Sequence, residues 1–145
     1  MLRAGLTPAP ALEVDFNADE LAPSVLAHLS SGAHRPTALF CSNDLLAMVV
    51  MRGLRRASFM VPGDMSIIGF DGLAIGELLA PPLASVCTPN RDIGSTAWRR
   101  LMARIEGADD GESLSLQLPH RLRMGGTIGA LSSTGGSSLP ARPAV

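Results

Sequence analysis

Two short stretches share one layout and constrain the chain more than anything else in it. Pro36-Thr37-Ala38-Leu39-Phe40-Cys41 runs into Ser42-Asn43-Asp44, and Met65-Ser66-Ile67-Ile68-Gly69-Phe70 runs into Asp71-Gly72. Each apolar run has the length of a strand and stops at Asn or Asp, and a helix-length segment separates the two, which is the pattern of consecutive βαβ strands. A chain so patterned folds as an α/β unit, a mostly parallel sheet flanked by helices. Both strands then end on the same side, where open α/β sheets bind ligands, so Asn43 and Asp71 are expected at one crevice on neighbouring strands, roughly 5 Å apart.

The segment between them, Leu45 to Ala57, is the clearest helix. Its first half is almost entirely apolar, and Arg52, Arg55 and Arg56 cluster in the last turns, where cations suit the helix dipole. Such a helix is buried on more than one side, against the sheet and neighbouring helices or in a subunit interface. Upstream, Leu12-Glu13-Val14-Asp15-Phe16 alternates like a short strand. Asn17 and Glu20 have the spacing of a capping box for a helix running to about Leu29, whose regular part begins between Glu20 and Pro23 because proline is tolerated only in a first turn. Downstream, Pro81-Pro82 closes the stretch that follows Asp71, and Leu83 to Cys87 reads as a strand. Asp92 is placed to cap a helix to Glu106, with Ile93, Ala97, Leu101 and Ile105 on one face, Trp98 packing beside them, and Arg99, Arg100 and Arg104 toward water. Leu114, Leu116 and Leu118 alternate into Pro119 to Met124 as a closing strand pair or one interrupted strand. From Leu131 to Val145 the Ser, Gly, Thr and Pro content cannot support a core, so 1–130 is read as one domain and 131–145 as a disordered tail.

With 145 residues, 46% of them hydrophobic, the chain can bury a core. Its formal net charge of −1 carries no basic excess of the kind that marks a nucleic-acid surface, so any DNA contact belongs elsewhere. Cys41 and Cys87 lie in apolar strand-like runs, where a thiol serves as a small hydrophobe, in keeping with a reducing cytoplasm. No segment approaches the ~20 apolar residues of a membrane span, and none has the form of a signal peptide. His28, His34 and His120 are scattered without metal spacing or a neighbouring nucleophile, and Gly125-Gly126-Thr127-Ile128-Gly129 lacks the lysine and helix of a phosphate loop. The reading is therefore of a protein that is not an enzyme and uses no cofactor or metal.

The ordered set Arg35-Pro36-Thr37-Ala38, Ser42-Asn43-Asp44, Val61-Pro62-Gly63-Asp64-Met65-Ser66-Ile67-Ile68-Gly69-Phe70-Asp71 and Pro81-Pro82-Leu83 resembles the effector domain of LacI/GalR-type transcriptional regulators, over about Leu6 to Thr127. The resemblance implies a partial periplasmic-binding-protein-like (type I) lobe, a small-molecule effector that is a sugar or related metabolite, and homodimerisation. It carries Asn43 and Asp71 over as ligand-binding residues and Phe16 as the ring-stacking aromatic, and it sets Met51, Leu54 and Leu78 near the dimer interface. It also implies that the other lobe, the central strand of this one with an arginine contact, and the DNA-binding helix-turn-helix would precede Met1. The chain then reads as an apparently truncated sensor domain that touches DNA only through a head it lacks. Three further departures are Val49, where the family favours a small residue, Ser58, where the family often ends the helix with glycine, and Gly72, where a second acidic residue is common. Met124 stands near a family arginine, with Arg123 one step off.

Residue chemistry supports a polyol independently of the likeness: a carboxylate at Asp71 can accept from adjacent hydroxyls while the Asn43 amide donates and accepts. Against this stand plainer roles. Ser42, Asn43 and Asp44 are all ordinary N-cap residues, Asp44 is read as a structural cap, and Asp71-Gly72 is also turn chemistry. The alternatives to a regulator's sensor are a periplasmic-type sugar-binding protein of a transporter, which shares the fold, and a non-functional remnant.

Overall fold

Asp44–Arg56 forms a helix of 13 residues (α2) because its buried positions, Asp44, Ala47, Val50 and Leu54, recur at the three-to-four spacing of one helical face. In the computed structural model, which describes residues 11–14, 21, 23–30, 35–108 and 115–130, that face lies on a four-stranded sheet. The strands are β1 (Ala38–Phe40), β2 (Ser66–Asp71), β3 (Ala84–Cys87) and β4 (Arg121–Arg123), in that spatial order. β1, β2 and β3 run parallel, with Phe40 opposite Ile68 and Asp71 opposite Cys87, and β4 closes the sheet antiparallel to β3. This is the mostly parallel sheet flanked by helices expected from the strand-ends.

Alternation along β2 divides its two faces. Ile67 and Gly69 are buried toward α2, whereas Ile68 and Phe70 are half-buried on the other face, where the Phe70 ring meets Phe40 edge-on at 6.5 Å. The core gathers Leu21 and Leu29 with Cys41, Ala47, Val50, Leu54, Phe59, Met65, Ile67 and Leu83. Each of the larger side chains there contributes about 1.5–3 kcal/mol of transfer free energy. Thr127 seals the underside: its hydroxyl donates to the Ile67 carbonyl at 2.7 Å and accepts from the Ala84 amide at 2.9 Å, tying the segment after β4 to both central strands. That is the structural use of the glycine-rich stretch that resembles no phosphate loop.

The helix α1 spans Pro23–Ser30, with its proline at the first helical position, where the missing N–H costs nothing. The helix α2 ends one residue before Ala57, and Ser58 takes up the left-handed conformation at φ 65° that glycine would adopt without strain.

Several expectations need correction. Residues 11–14 form no strand, and Phe16, Asn17 and Glu20 lie outside the described residues, as do His34, Leu114 and 131–145. β1 therefore stands at the edge of the described sheet. Residues 115–120 are irregular, so the alternating leucines there make no second arm, because only 121–123 reaches β3 for backbone pairing. The helix α3 spans Asn90–Ile105 with Pro89 before it, which places Asp92 inside the first turn rather than at the cap. No residue of α3 is buried, and Trp98, read as a packing residue, is 62% exposed. Its apolar positions stay accessible: Ile93 and Ala97 line an open groove toward Phe70 and Leu116, and nothing among the described residues seals them. Leu54, proposed for an interface, is fully buried under β2, and a side chain without accessible surface cannot meet a partner.

Candidate functional site

The carboxyl edge of the sheet is assembled by register. Cys41 donates its N–H to the Ile68 carbonyl at 2.8 Å, extending the β1–β2 pairing past Phe40, so Asn43 and Asp71 each stand three residues beyond a paired position, Phe40 and Ile68. Asp71 ends β2 and Asn43 stands three residues past the end of the neighbouring parallel strand β1, and both are half-buried. Asn43 is the N-cap of α2: its Oδ1 accepts from the Leu46 N–H at 2.7 Å. The cap commits the acceptor end of the amide to the helix, and among the described residues its Nδ2 has no partner. The capping role and a ligand-donating role thus fall on opposite ends of one side chain.

Asp71 has an unusual backbone, with φ at 109°, a region L-residues rarely adopt. Its carbonyl accepts from both the N–H and the hydroxyl of Thr88, each at 3.4 Å, while its carboxylate has no partner among the described residues. Phe16, the third expected ligand residue, lies outside the described residues.

The residue that sequence reasoning treated as a cap does something else. Asp44 is fully buried, its carboxylate turned back over β2 rather than toward its own helix. One oxygen accepts from the Ser85 hydroxyl at 2.6 Å and the other from the Leu73 N–H at 2.7 Å. This is sterically allowed because residue 69 is glycine: a Cβ there would collide with Asp44 Oδ1. Ser85 in turn accepts from the Gly72 N–H at 3.1 Å. Arg123, reaching from β4, donates to the carbonyls of Gly72 at 3.3 Å and Leu73 at 3.1 Å, pairs with Glu77 at 3.0 Å, and lies 3.8 Å from Asp44. Burying charges is costly unless each finds several partners, which is the arrangement here for the Asp44 carboxylate and the two terminal nitrogens of Arg123, while Arg123 Nε is buried without one. Gly72 itself has φ at 76°, and a Cβ on it would come within 2.6 Å of the Cys87 sulfur. The acidic residue common in the resembled family therefore has no room in this chain.

Ser85 and Arg123 were not legible as site residues, being 41 and 79 positions from Asp44. The one available signal is the Arg121-Leu122-Arg123 alternation, which puts the two arginines on one face of a strand. Cys41, beneath the same edge, is buried, and desolvation first and the nearby Asp44 charge second push its thiol up to about 11. Among the described residues no cluster of three or more His, Cys, Asp or Glu could hold a metal ion.

Two grooves flank the edge, and neither includes Asn43 or Asp71. One of about 620 Å³ lies between Phe70 and Val86 of the sheet, Ile93 and Arg100 of α3, and Leu116 and Leu118. The other, about 880 Å³, runs along the second apolar flank of α2, where Leu45, Met48, Val49 and Met51 face Met60, Leu79 and Pro81. Leu78 projects beside it from the 3-10 helix Ala74–Leu78 and is 84% exposed. Asn43 and Asp71 stand half-buried outside both of these grooves.

The family described as periplasmic binding protein-like domain matches residues 3–128. The HTH-type transcriptional repressor PurR of Aliivibrio fischeri (strain MJ11) is 36% identical over 99 residues, 68% of this chain and 29% of that protein. Among solved structures, a LacI family transcriptional regulator from Enterococcus faecium with bound ribose superposes with a TM-score of 0.67 and 31% identity, covering 75% of this chain and 40% of that one. A LacI family regulator from Arthrobacter sp. FB24 in complex with lactose gives 0.58 and 32%, over 64% and 35%. The chain therefore spans less than a third of that PurR and well under half of either structure. These relatives are transcriptional regulators, not enzymes, and no described helix of this chain is long and apolar enough to cross a membrane.

Proposed function

This chain belongs to the periplasmic binding protein-like domain family, as part of a LacI-type effector domain, and from that premise we propose that it binds a small-molecule effector, a sugar or related metabolite, for a cytoplasmic transcriptional regulator. The single observation that carries the reading is that two half-buried polar groups at one sheet edge, the Asn43 Nδ2 just past β1 and the Asp71 carboxylate at the end of β2, have no partners among the described residues. An amide donor beside a carboxylate acceptor suits a pair of ring hydroxyls, whose oxygens accept from one and whose protons go to the other. Neither group reacts, so binding rather than catalysis is the chemistry. Phe16 would supply the apolar cover of a sugar ring.

Two groups carried on one sheet edge contact a ligand from one side only, so tight binding calls for a second wall closing over it. In a two-lobed effector domain, ligand shifts the population toward the closed state by as much as it binds that state better. DNA would be met by a head domain outside these 145 residues. The groove along α2, with Met51 inside it and Leu78 beside it, is the surface we assign to homodimerisation. Residues 1–130 make the effector unit, and 131–145 are taken to be a tail.

The test is thermal melting of the purified chain against D-ribose, lactose and cellobiose, with Asp71→Ala and Asn43→Ser as controls. The serine preserves an N-cap acceptor and removes only the amide donor, so a stability change from the cap does not confuse the result. A melt raised by one sugar in the native chain and in neither variant supports the site. A response that survives Asp71→Ala overturns it.

A further inference from the structure

In the turn after Asp71 every backbone polar group of Gly72 and Leu73 has a partner. Four backbone groups, the N–H and C=O of Gly72 and of Leu73, are all taken: Gly72 N–H by Ser85, Gly72 C=O by Arg123, Leu73 N–H by Asp44, and Leu73 C=O by Arg123 together with the Gly76 N–H at 3.0 Å. The Asp71 carbonyl is held by Thr88. The side chains that hold Gly72 and Leu73 come from three different elements, Asp44 from α2, Ser85 from β3 and Arg123 from β4, and two of those three, Asp44 and Ser85, are fully buried. An unfavourable φ persists only where its surroundings leave no other choice, and this clamp begins at the one residue, Asp71, that combines a φ of 109° with an unpartnered carboxylate.

We propose that Asp44, Ser85 and Arg123 are positioning residues of the effector site, clamping the Gly72–Leu73 peptides so that Asp71 is held at its strained backbone angle with its carboxylate presented at the sheet rim. The inference rests on the effector-site reading for its purpose, but the clamp itself is testable without a ligand. Asp44 also follows Asn43 directly, so one buried carboxylate ties the helix start that carries the amide donor to the turn that carries the acceptor. The spacing between donor and acceptor is then set by Asp44 and its partners, not by the flexibility of two loop ends. Preorganisation of this kind raises affinity by removing the cost of ordering the groups when the ligand arrives.

The test has two arms, each run on the full chain with Ser85→Ala and, independently, Arg123→Met. In the first, Asp71→Gly is introduced into the native and clamp-deficient backgrounds and melting temperatures are compared. A clamp that enforces strain makes Asp71→Gly stabilising in the native background and neutral when Ser85 or Arg123 is gone; an equal shift in all three backgrounds overturns the proposal, since a merely structural hydrogen bond would leave the two effects additive. In the second, affinity for D-ribose, lactose and cellobiose is measured by calorimetry. Loss of one clamp hydrogen bond is expected to weaken binding by about 5- to 10-fold, with Asp71→Ala abolishing it. Binding that Asp71→Ala abolishes and both clamp variants leave at the native affinity overturns positioning while the site stands. Binding untouched by Asp71→Ala removes the site, and with it the purpose of the clamp. If none of the three sugars binds, the first arm decides alone.

Discussion

Replacing Asp71 by glycine should make this protein more stable while removing the group on which its recognition chemistry depends. A non-glycine residue at φ 109° carries about 1–3 kcal/mol of backbone strain. The carboxylate makes no hydrogen bond among the described residues, so little is lost with the side chain itself. Glycine costs about 0.5–1 kcal/mol through the greater freedom of the unfolded chain. At mid-range values the difference leaves Asp71→Gly ahead of Asp71→Ala by about 1 kcal/mol, because alanine keeps the Cβ and with it the strain. For a chain of this size that corresponds to about 2–6 °C in melting temperature. Both variants are compared by urea denaturation and thermal melting followed by far-ultraviolet circular dichroism, with equal denaturant slopes required so that the shift reports stability alone. A glycine variant no more stable than the alanine variant refutes the claim that this backbone is strained, and with it the idea that the turn stores free energy for a purpose.

The remaining predictions bear on other parts of the molecule. Ser58→Gly, at the φ 65° position that ends α2, should stabilise by about 0.5–1 kcal/mol in the same denaturation assay, whereas Ser58→Ala should not. Leu54→Ala should cost about 2–5 kcal/mol because the site is sealed under β2, while Leu78→Ser on the exposed 3-10 helix should change monomer stability by less than about 0.5 kcal/mol and register instead as weakened self-association in sedimentation equilibrium. Stability should fall as pH rises from 9 toward 11: the Cys41 thiol, at 9.0 when unburied and about 11 in the fold, stays protonated in the folded state while the unfolded state releases its proton. Two units correspond to about 2.7 kcal/mol at most. Lysine and tyrosine contribute nothing in this window, since all twelve Lys-plus-Arg side chains are arginine and tyrosine is absent. Urea midpoints at pH 8 and pH 10.5 should therefore diverge in the native chain and converge in Cys41→Val; an equal alkaline loss in the variant would assign it to another group.

Much of this architecture was readable from local pattern. Apolar runs of strand length ending at Asn43 and Asp71, with one continuous apolar helix between them, specify parallel strands whose ends share an edge, because a βαβ crossover leaves both carboxyl termini on one side. The double flank of α2 was equally visible, as an apolar surface too wide for one core face; it divides into Ala47, Val50 and Leu54 beneath and Leu45, Met48 and Met51 along the groove. Leu54 was misassigned because periodicity says that a side chain is apolar, not which of two apolar faces is sealed.

The Asp44 clamp had no local signature. Asp44 in the sequence Ser-Asn-Asp before a helix is indistinguishable from a capping residue, and Ser85 and Arg123 are ordinary residues of short strands. Sequence alone determined the kind of sheet, the place of its carboxyl edge and the two polar residues that end there, since each follows from period and chain direction within a few dozen residues. Only the tertiary structure decided that Asn43 spends its acceptor on its own helix, that Asp71 stands at φ 109°, and that three residues distant in the chain hold the turn behind it. Those outcomes depend on which buried polar groups meet within about 3 Å, and no periodicity encodes a distance between strands.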